Sequence, residues 1–167
     1  MNVASIRKFD VANGPGVRSS IFFSGCTHNC KGCFNSIAKD FNYGELFDEE
    51  KQNDFIKHIN SDVIQGVSIL GGEPLQQGED MLYFLERIKK ETGKNIWLWT
   101  GYTFEEILED KDKYKMLEYI DVLIDGKFVQ ELKDINLMYK GSKNQRVIDV
   151  KKTLKLGYIY EIKKEKF

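Results

Sequence analysis

The sequence predicts an α/β fold with a mostly parallel sheet. Three observations carry that expectation. Short apolar runs alternate with amphipathic helical stretches through the middle of the chain, the pattern of βαβ units. Three of those runs stop abruptly in polar or glycine-rich tails. A further apolar run, nearer the N-terminus, leads straight into a cluster of cysteines.

The elements follow in order. Residues 17–24 read as a strand that delivers the chain to the cysteines. Residues 48–60 read as a helix, with Phe55, Ile56 and Ile59 on its apolar face. Residues 66–70 form a short apolar run, read as a buried strand, that ends in Gly71-Gly72-Glu73-Pro74. Residues 79–91 read as a second helix through Met81, Leu82, Leu85 and Ile88. Residues 95–99 give a strand ending in Thr100-Gly101-Tyr102, and Thr103 with Glu106 is a capping-box pattern that opens the next helix. Residues 119–124 read as a strand ending in Asp125-Gly126-Lys127. Residues 128–141 read mostly as loop, 146–150 as a strand, then a short basic helix, and 157–162 as a last strand. In parallel α/β folds ligands bind at the carboxyl ends of strands. The cysteine loop and the three tails are therefore expected to meet on one edge of one sheet.

Composition narrows the class. At 167 residues the chain fits one domain, 1–167. With 41% hydrophobic and 31% charged residues it can bury a core, which argues against disorder. Lys+Arg number 25 and Asp+Glu 26, so charge makes no case for a nucleic-acid or membrane-surface partner. No apolar run approaches the ~20 residues of a membrane span, and the first ten residues lack the apolar core of a signal peptide.

All three cysteines lie in Cys26-Thr27-His28-Asn29-Cys30-Lys31-Gly32-Cys33. An odd, clustered set cannot make a disulfide framework; a metal or catalytic role in a reducing cytoplasm is expected. Three thiolates are one ligand short of a closed four-ligand site. Two chemistries suit them: an iron–sulfur cube with one iron left open, or zinc with His28 as fourth ligand. All four zinc ligands would then come from one loop, which leaves little for the metal to tie together. His58 reads as a solvated surface residue.

Cys-x3-Cys-x2-Cys is the signature loop of the radical S-adenosylmethionine (radical SAM) superfamily, which the chain resembles. Asn13-Gly14-Pro15-Gly16-Val17-Arg18, the Gly25-Cys26 to Cys33-Phe34-Asn35 loop and Gly71-Gly72-Glu73-Pro74 resemble the glycyl-radical-enzyme activators. Trp97-Leu98-Trp99-Thr100-Gly101-Tyr102, the segment 121–128 and Gly141-Ser142-Lys143-Asn144-Gln145-Arg146 are similar, within those, to the activators of the anaerobic (class III) ribonucleoside-triphosphate reductase. The resemblance spans about 9–150. It departs from the superfamily at Gly32, where an aromatic residue is usual and the reductase activators tolerate glycine. Only the backbone of Gly32, Cys33 and Phe34 is then offered to a nucleoside.

The resemblance implies a shortened, open (β/α) partial barrel of radical SAM type. It implies a 4Fe-4S cluster on Cys26, Cys30 and Cys33, with S-adenosylmethionine (SAM) chelating the open iron through its amino and carboxylate groups. Gly71, Gly72, Glu73 and Pro74 would meet the SAM amino group through backbone carbonyls and the Glu73 carboxylate. Thr100 and Asp125 would stand nearby, directly or through a cation. The implied activity is one-electron cleavage of the S–C5′ bond and formation of a glycyl radical on the reductase, fed by a flavodoxin-type donor, with no side chain acting as acid or base. The segment 14–18 is either a stiff turn with a solvated Arg18 or part of the mouth where a partner docks. Trp97 and Trp99 read as packing residues and Lys151, Lys152 and Lys155 as a solvated face. Other readings are an activator of a different glycyl radical enzyme, a small-molecule radical SAM enzyme, and a non-catalytic metal module: a zinc-stabilised adaptor or an electron carrier.

Overall fold

The computed structural model describes residues 1–163. The strands are β1 (Asn2–Asp10), β2 (Arg18–Phe23), β3 (Glu45–Leu46), β4 (Gly66–Gly71), β5 (Asn95–Trp99), β6 (Val122–Asp125) and β7 (Arg146–Asp149). The helices are α1 (Glu49–Ile59), α2 (Glu79–Thr92), α3 (Phe104–Glu109), α4 (Lys111–Met116) and α5 (Val150–Leu156). The strands form one sheet in the order β3-β1-β2-β4-β5-β6-β7. β2, β4, β5 and β6 pair in parallel; β1 and β7 run against their neighbours. The sheet is α/β and mostly parallel as expected, and its edge strands β3 and β7 do not close on each other.

The local signals that set these elements are concrete. Asp48 caps α1 by accepting from Lys51 N at 3.0 Å. Thr103 and Glu106 complete the expected capping box on α3, a contact worth about 1 kcal/mol. Gly93 ends α2 in the left-handed conformation. Alternation along the strands sorts residues between the two faces of the sheet. Ile21, Val67, Ile69, Ile96, Leu98 and Leu123 enter one apolar cluster with Phe84, Leu85 and Ile88 of α2. Trp97, Val122, Ile124 and Val147 form a smaller cluster on the other face, beneath Trp99 and Tyr139. Both tryptophans pack, as expected.

Three expectations need correction, and one strand has no counterpart among them. The N-terminal residues form β1, whose exposed middle gives no alternating pattern. α4 fills part of the stretch before β6, and the strand starts at Val122 instead of 119. Residues 157–162 make only an isolated bridge, Ile148 to Glu161. Arg18 is neither solvated nor at a docking mouth. Only 2% exposed, it starts β2, at the opposite end of the strand from the cysteines. Its Nε donates to Ser68 Oγ at 2.7 Å, and its Nη2 donates to Val67 O at 2.7 Å and Asn95 O at 3.2 Å. Its guanidinium lies 5.3 Å from the Trp97 ring centroid. Burial lowers its pKa to about 10, so it stays charged at neutral pH. Gly66 makes room: a Cβ there would meet Arg18 Nη1 at 2.5 Å and Asn95 O at 2.7 Å.

Replacing Arg18 leaves these buried acceptors without a donor and opens a cavity. Arg18→Ala is expected to lower unfolding stability by roughly 3 kcal/mol, measured as a fall in urea midpoint at unchanged slope.

Candidate functional site

The parallel pairing puts the exits of β2, β4, β5 and β6 on one edge, and the chain leaving β2 forms the cysteine loop. Its start is pinned by backbone: Ser24 N donates to Asn2 O at 2.9 Å, Gly25 N to Ala38 O at 2.8 Å and Cys26 N to Lys39 O at 3.0 Å. The loop then turns through a Cys33 N to Cys30 O bond at 3.3 Å. Gly32 sits in this turn at φ +70°, a conformation glycine adopts without strain.

The exit of β4 is locked onto this start. Gly72 N donates to Phe23 O and Glu73 N to Gly25 O, each at 2.8 Å. A Cβ on Gly71 would overlap the backbone of Phe23, and one on Gly72 would meet Gly25 O at 2.5 Å. The paired glycines are thus required by chain-on-chain packing. Glu73 is fully buried. Its carboxylate accepts from Leu75 N at 3.1 Å, Thr100 Oγ1 at 2.7 Å and Gly101 N at 2.7 Å. It is therefore not the free anion expected to face an ammonium; its oxygens tie β4 to β5. His28 comes from the cysteine loop to the same place. Its Nε2 lies 3.2 Å from Glu73 Oε2, off hydrogen-bond alignment, and its ring packs edge-on against Tyr102 at 4.6 Å. Gly101 leaves the space for that ring.

Cys26, Cys30 and Cys33 are free thiols and all line one cleft of about 230 Å³. Phe34, Gly71, Gly72, Glu73 and Thr100 line it too, so eight of the expected site residues meet there. Gly32, Pro74 and Asp125 are not on its wall. Gly32 faces Gln130, and Pro74 is buried as the first residue of the turn Pro74–Gln76. The Phe34 side chain projects from the rim, 96% exposed. Burial pushes the Cys26 thiol up, with the charges of Glu73 and the other two cysteines adding to it against a lowering backbone bond from His28. Among the described residues no three His, Cys, Asp or Glu side chains converge on a single-ion site.

Asp125 is 1% exposed and accepts from Phe104 N at 2.8 Å and Arg146 Nε at 3.1 Å, with a further short bond from Arg146 Nη2. Arg146 also pairs with Glu105 at 2.7 Å. The cation beside Asp125 is thus a guanidinium, and the two carboxylates drive the Arg146 pKa far up. This cluster borders a second, polar cleft, which shares Gly101 and Gly126 with the cysteine cleft.

Residues 12–148 match the family described as a 4Fe-4S single cluster domain. The chain is 45% identical over 150 residues to the anaerobic ribonucleoside-triphosphate reductase-activating protein of Haemophilus influenzae, covering 87% of this chain and 96% of that one. The Escherichia coli K12 protein of the same name is 41% identical over 152 residues, covering 88% and 97%. This chain belongs to the anaerobic ribonucleoside-triphosphate reductase-activating protein family. The activating protein of phage T4 is 39% identical over 150 residues, covering 88% and 93%.

Sequence reasoning missed several residues that the fold of this activating-protein family member brings to the cleft. Trp99, Phe128, Gly141 and Gln145 also line the cysteine cleft. Trp99 carried a usable signal, since it is the last residue of a strand whose tail was already singled out. Gln145 lies in the 141–146 motif that carried the family resemblance. Its Nε2 donates to Gly126 O at 2.8 Å while its Oε1 accepts from Gly141 N at 2.8 Å.

The Glu73 contacts give a direct expectation. Glu73→Gln turns one acceptor into a donor facing other donors and is expected to cost about 2 kcal/mol. Thr100→Val is expected to cost about 1 kcal/mol. In a double-mutant cycle followed by thermal unfolding, the two losses should sum to more than the double variant shows.

Proposed function

We propose that this chain is a radical SAM activating enzyme that generates a glycyl radical on the anaerobic ribonucleoside-triphosphate reductase. The observation that carries the reading is the gathering of three free thiols and the Gly71–Gly72 backbone in one cleft at the carboxyl edge of the parallel strands. Cys26, Cys30 and Cys33 would hold a 4Fe-4S cluster and leave one iron without a protein ligand. When bound, the cluster and SAM supply one-electron cleavage of the S–C5′ bond and a carbon-centred radical.

The chain's own contribution is to bind, orient and exclude water. The Gly71–Gly72 backbone lies on the cleft wall, held there by its packing on Phe23 and Gly25, and would meet SAM through its carbonyls. Leu70, Trp99 and Phe128 give the cleft an apolar wall, which keeps water from a radical that would otherwise be quenched off target. The glycine to be oxidised enters from the side. On this reading the open sheet is a shortened (β/α) partial barrel forming one radical SAM domain, and its unclosed edge leaves lateral room for a polypeptide loop. Free thiols of this kind suit a reducing cytoplasm, with a flavodoxin-type protein as electron donor. No described helix is long and apolar enough to cross a membrane.

Anaerobic reconstitution with iron and sulfide should give a brown protein whose reduced EPR signal shifts on adding SAM. A glycyl radical doublet should appear only when the reductase is present as well. A doublet without the reductase, or a colourless protein holding one zinc, would reject the proposal.

Cys30→Ala should lose both full iron stoichiometry and SAM cleavage, read by iron assay and 5′-deoxyadenosine formation. Full activity in that variant would remove the cluster from the mechanism.

A further inference from the structure

The two halves of the cysteine loop are held very differently: backbone bonds pin the chain up to Cys26, and one side chain, Gln76, carries that hold on to Thr27. The Gln76 amide makes three hydrogen bonds, all to the loop and its support. Oε1 accepts from Thr27 N at 2.8 Å, and Nε2 donates to Thr27 Oγ1 and to Tyr102 OH, each at 2.8 Å. The neighbouring Gln77 Nε2 donates to Ser24 O at 3.0 Å. Two consecutive glutamines, directly after Gly71-Gly72-Glu73-Pro74-Leu75, thus grip the chain on either side of Cys26. Tyr102 extends the grip: its ring packs edge-on against His28 at 4.6 Å, and Lys113 Nζ lies 4.7 Å from the ring centroid. The Cys30–Cys33 half has its own turn bond, an exposed Lys31–Glu131 pair at 3.6 Å and an exposed Lys39 to Asn29 bond at 3.4 Å. Exposed pairs of this kind hold weakly.

We propose that Gln76 is a positioning residue for the cluster, fixing Cys26 in place before the cluster arrives while Cys30 and Cys33 adapt around it. The inference rests on the reading that the three cysteines hold a cluster. Its physical basis is preorganisation. Ordering a loop on binding costs conformational entropy, and a side chain that orders the loop beforehand removes that cost from the binding step. Gln76 itself touches neither a cysteine thiol nor the cleft wall; it acts through Thr27 and Tyr102.

Two measurements test this. The first is the rate at which a chelator removes iron from the reconstituted full-length protein, followed by bleaching of the visible absorbance. Gln76→Met keeps the size of the side chain and removes its bonds, and should release iron roughly tenfold faster. Gln76→Glu keeps the acceptor for Thr27 N, and the Thr27 and Tyr102 hydroxyls can turn to donate to it, so its release rate should move back toward the unaltered protein. The second is hydrogen exchange on the iron-free protein, where Gln76→Met should speed exchange in peptides covering 26–33 and leave those from β4 and β5 unchanged. Unchanged iron release in Gln76→Met, release from Gln76→Glu as fast as from Gln76→Met, or faster exchange spread across the sheet would each overturn the proposal. If the unaltered protein takes up no cysteine-dependent iron, the cluster reading fails instead, and the exchange experiment alone decides whether Gln76 orders the loop.

Discussion

The buried Glu73 carboxylate is the junction on which the site depends. Its backbone N–H is bonded to Gly25 O at the root of the cysteine loop, and its oxygens take Thr100 and Gly101 from the exit of β5. A charge removed from water is tolerated only where donors replace the lost hydration. Three donors do so here, with His28 close by. The root of the loop, the β4 turn and the β5 exit all meet at this one residue, through its N–H or its carboxylate, so a shift of any of them breaks one of its bonds. The cleft walls are set by that constraint.

Asp125 has a comparable role at the exit of β6, with Arg146 and the first turn of α3 as its partners. Asp125 ends β6 and Glu73 lies two residues beyond β4, and both are bonded inside the protein. What remains for a ligand is backbone, thiols, apolar surface and the His28 and Asn35 side chains. That division suits radical chemistry, where the cofactor supplies reactivity and the protein supplies shape and dryness. Arg18 marks the other end of the same strands. Its bonds to Ser68, Val67 and Asn95 cross three neighbouring strands and pin their starts, while the glutamate and the glycines pin their exits.

Much of this was legible in the chain. Strand and helix order, the capping box at Thr103, and the meeting of the cysteine loop with three strand tails all follow from periodicity and short motifs. Those are local properties: a period of two or of 3.6 residues, or a side chain reaching its own backbone. β1 and α4 were not legible. The middle of β1 is exposed, and α4 is only six residues long, so neither leaves an apolar stripe to read.

By itself the sequence determined the α/β fold class and the meeting of the cysteine loop with the strand tails on one edge of the sheet. Only the tertiary structure decided which way the acids point and what they bind. Glu73 and Asp125 looked available to a cofactor, and both are occupied. Gln76 looked ordinary, Gln145 and Arg146 stood out only as part of a motif, and each joins segments far apart in the chain. The reason is physical: a side chain's partners are whatever the fold brings within about 3 Å of it, and no local pattern encodes a contact made between residues 19 to 49 positions apart.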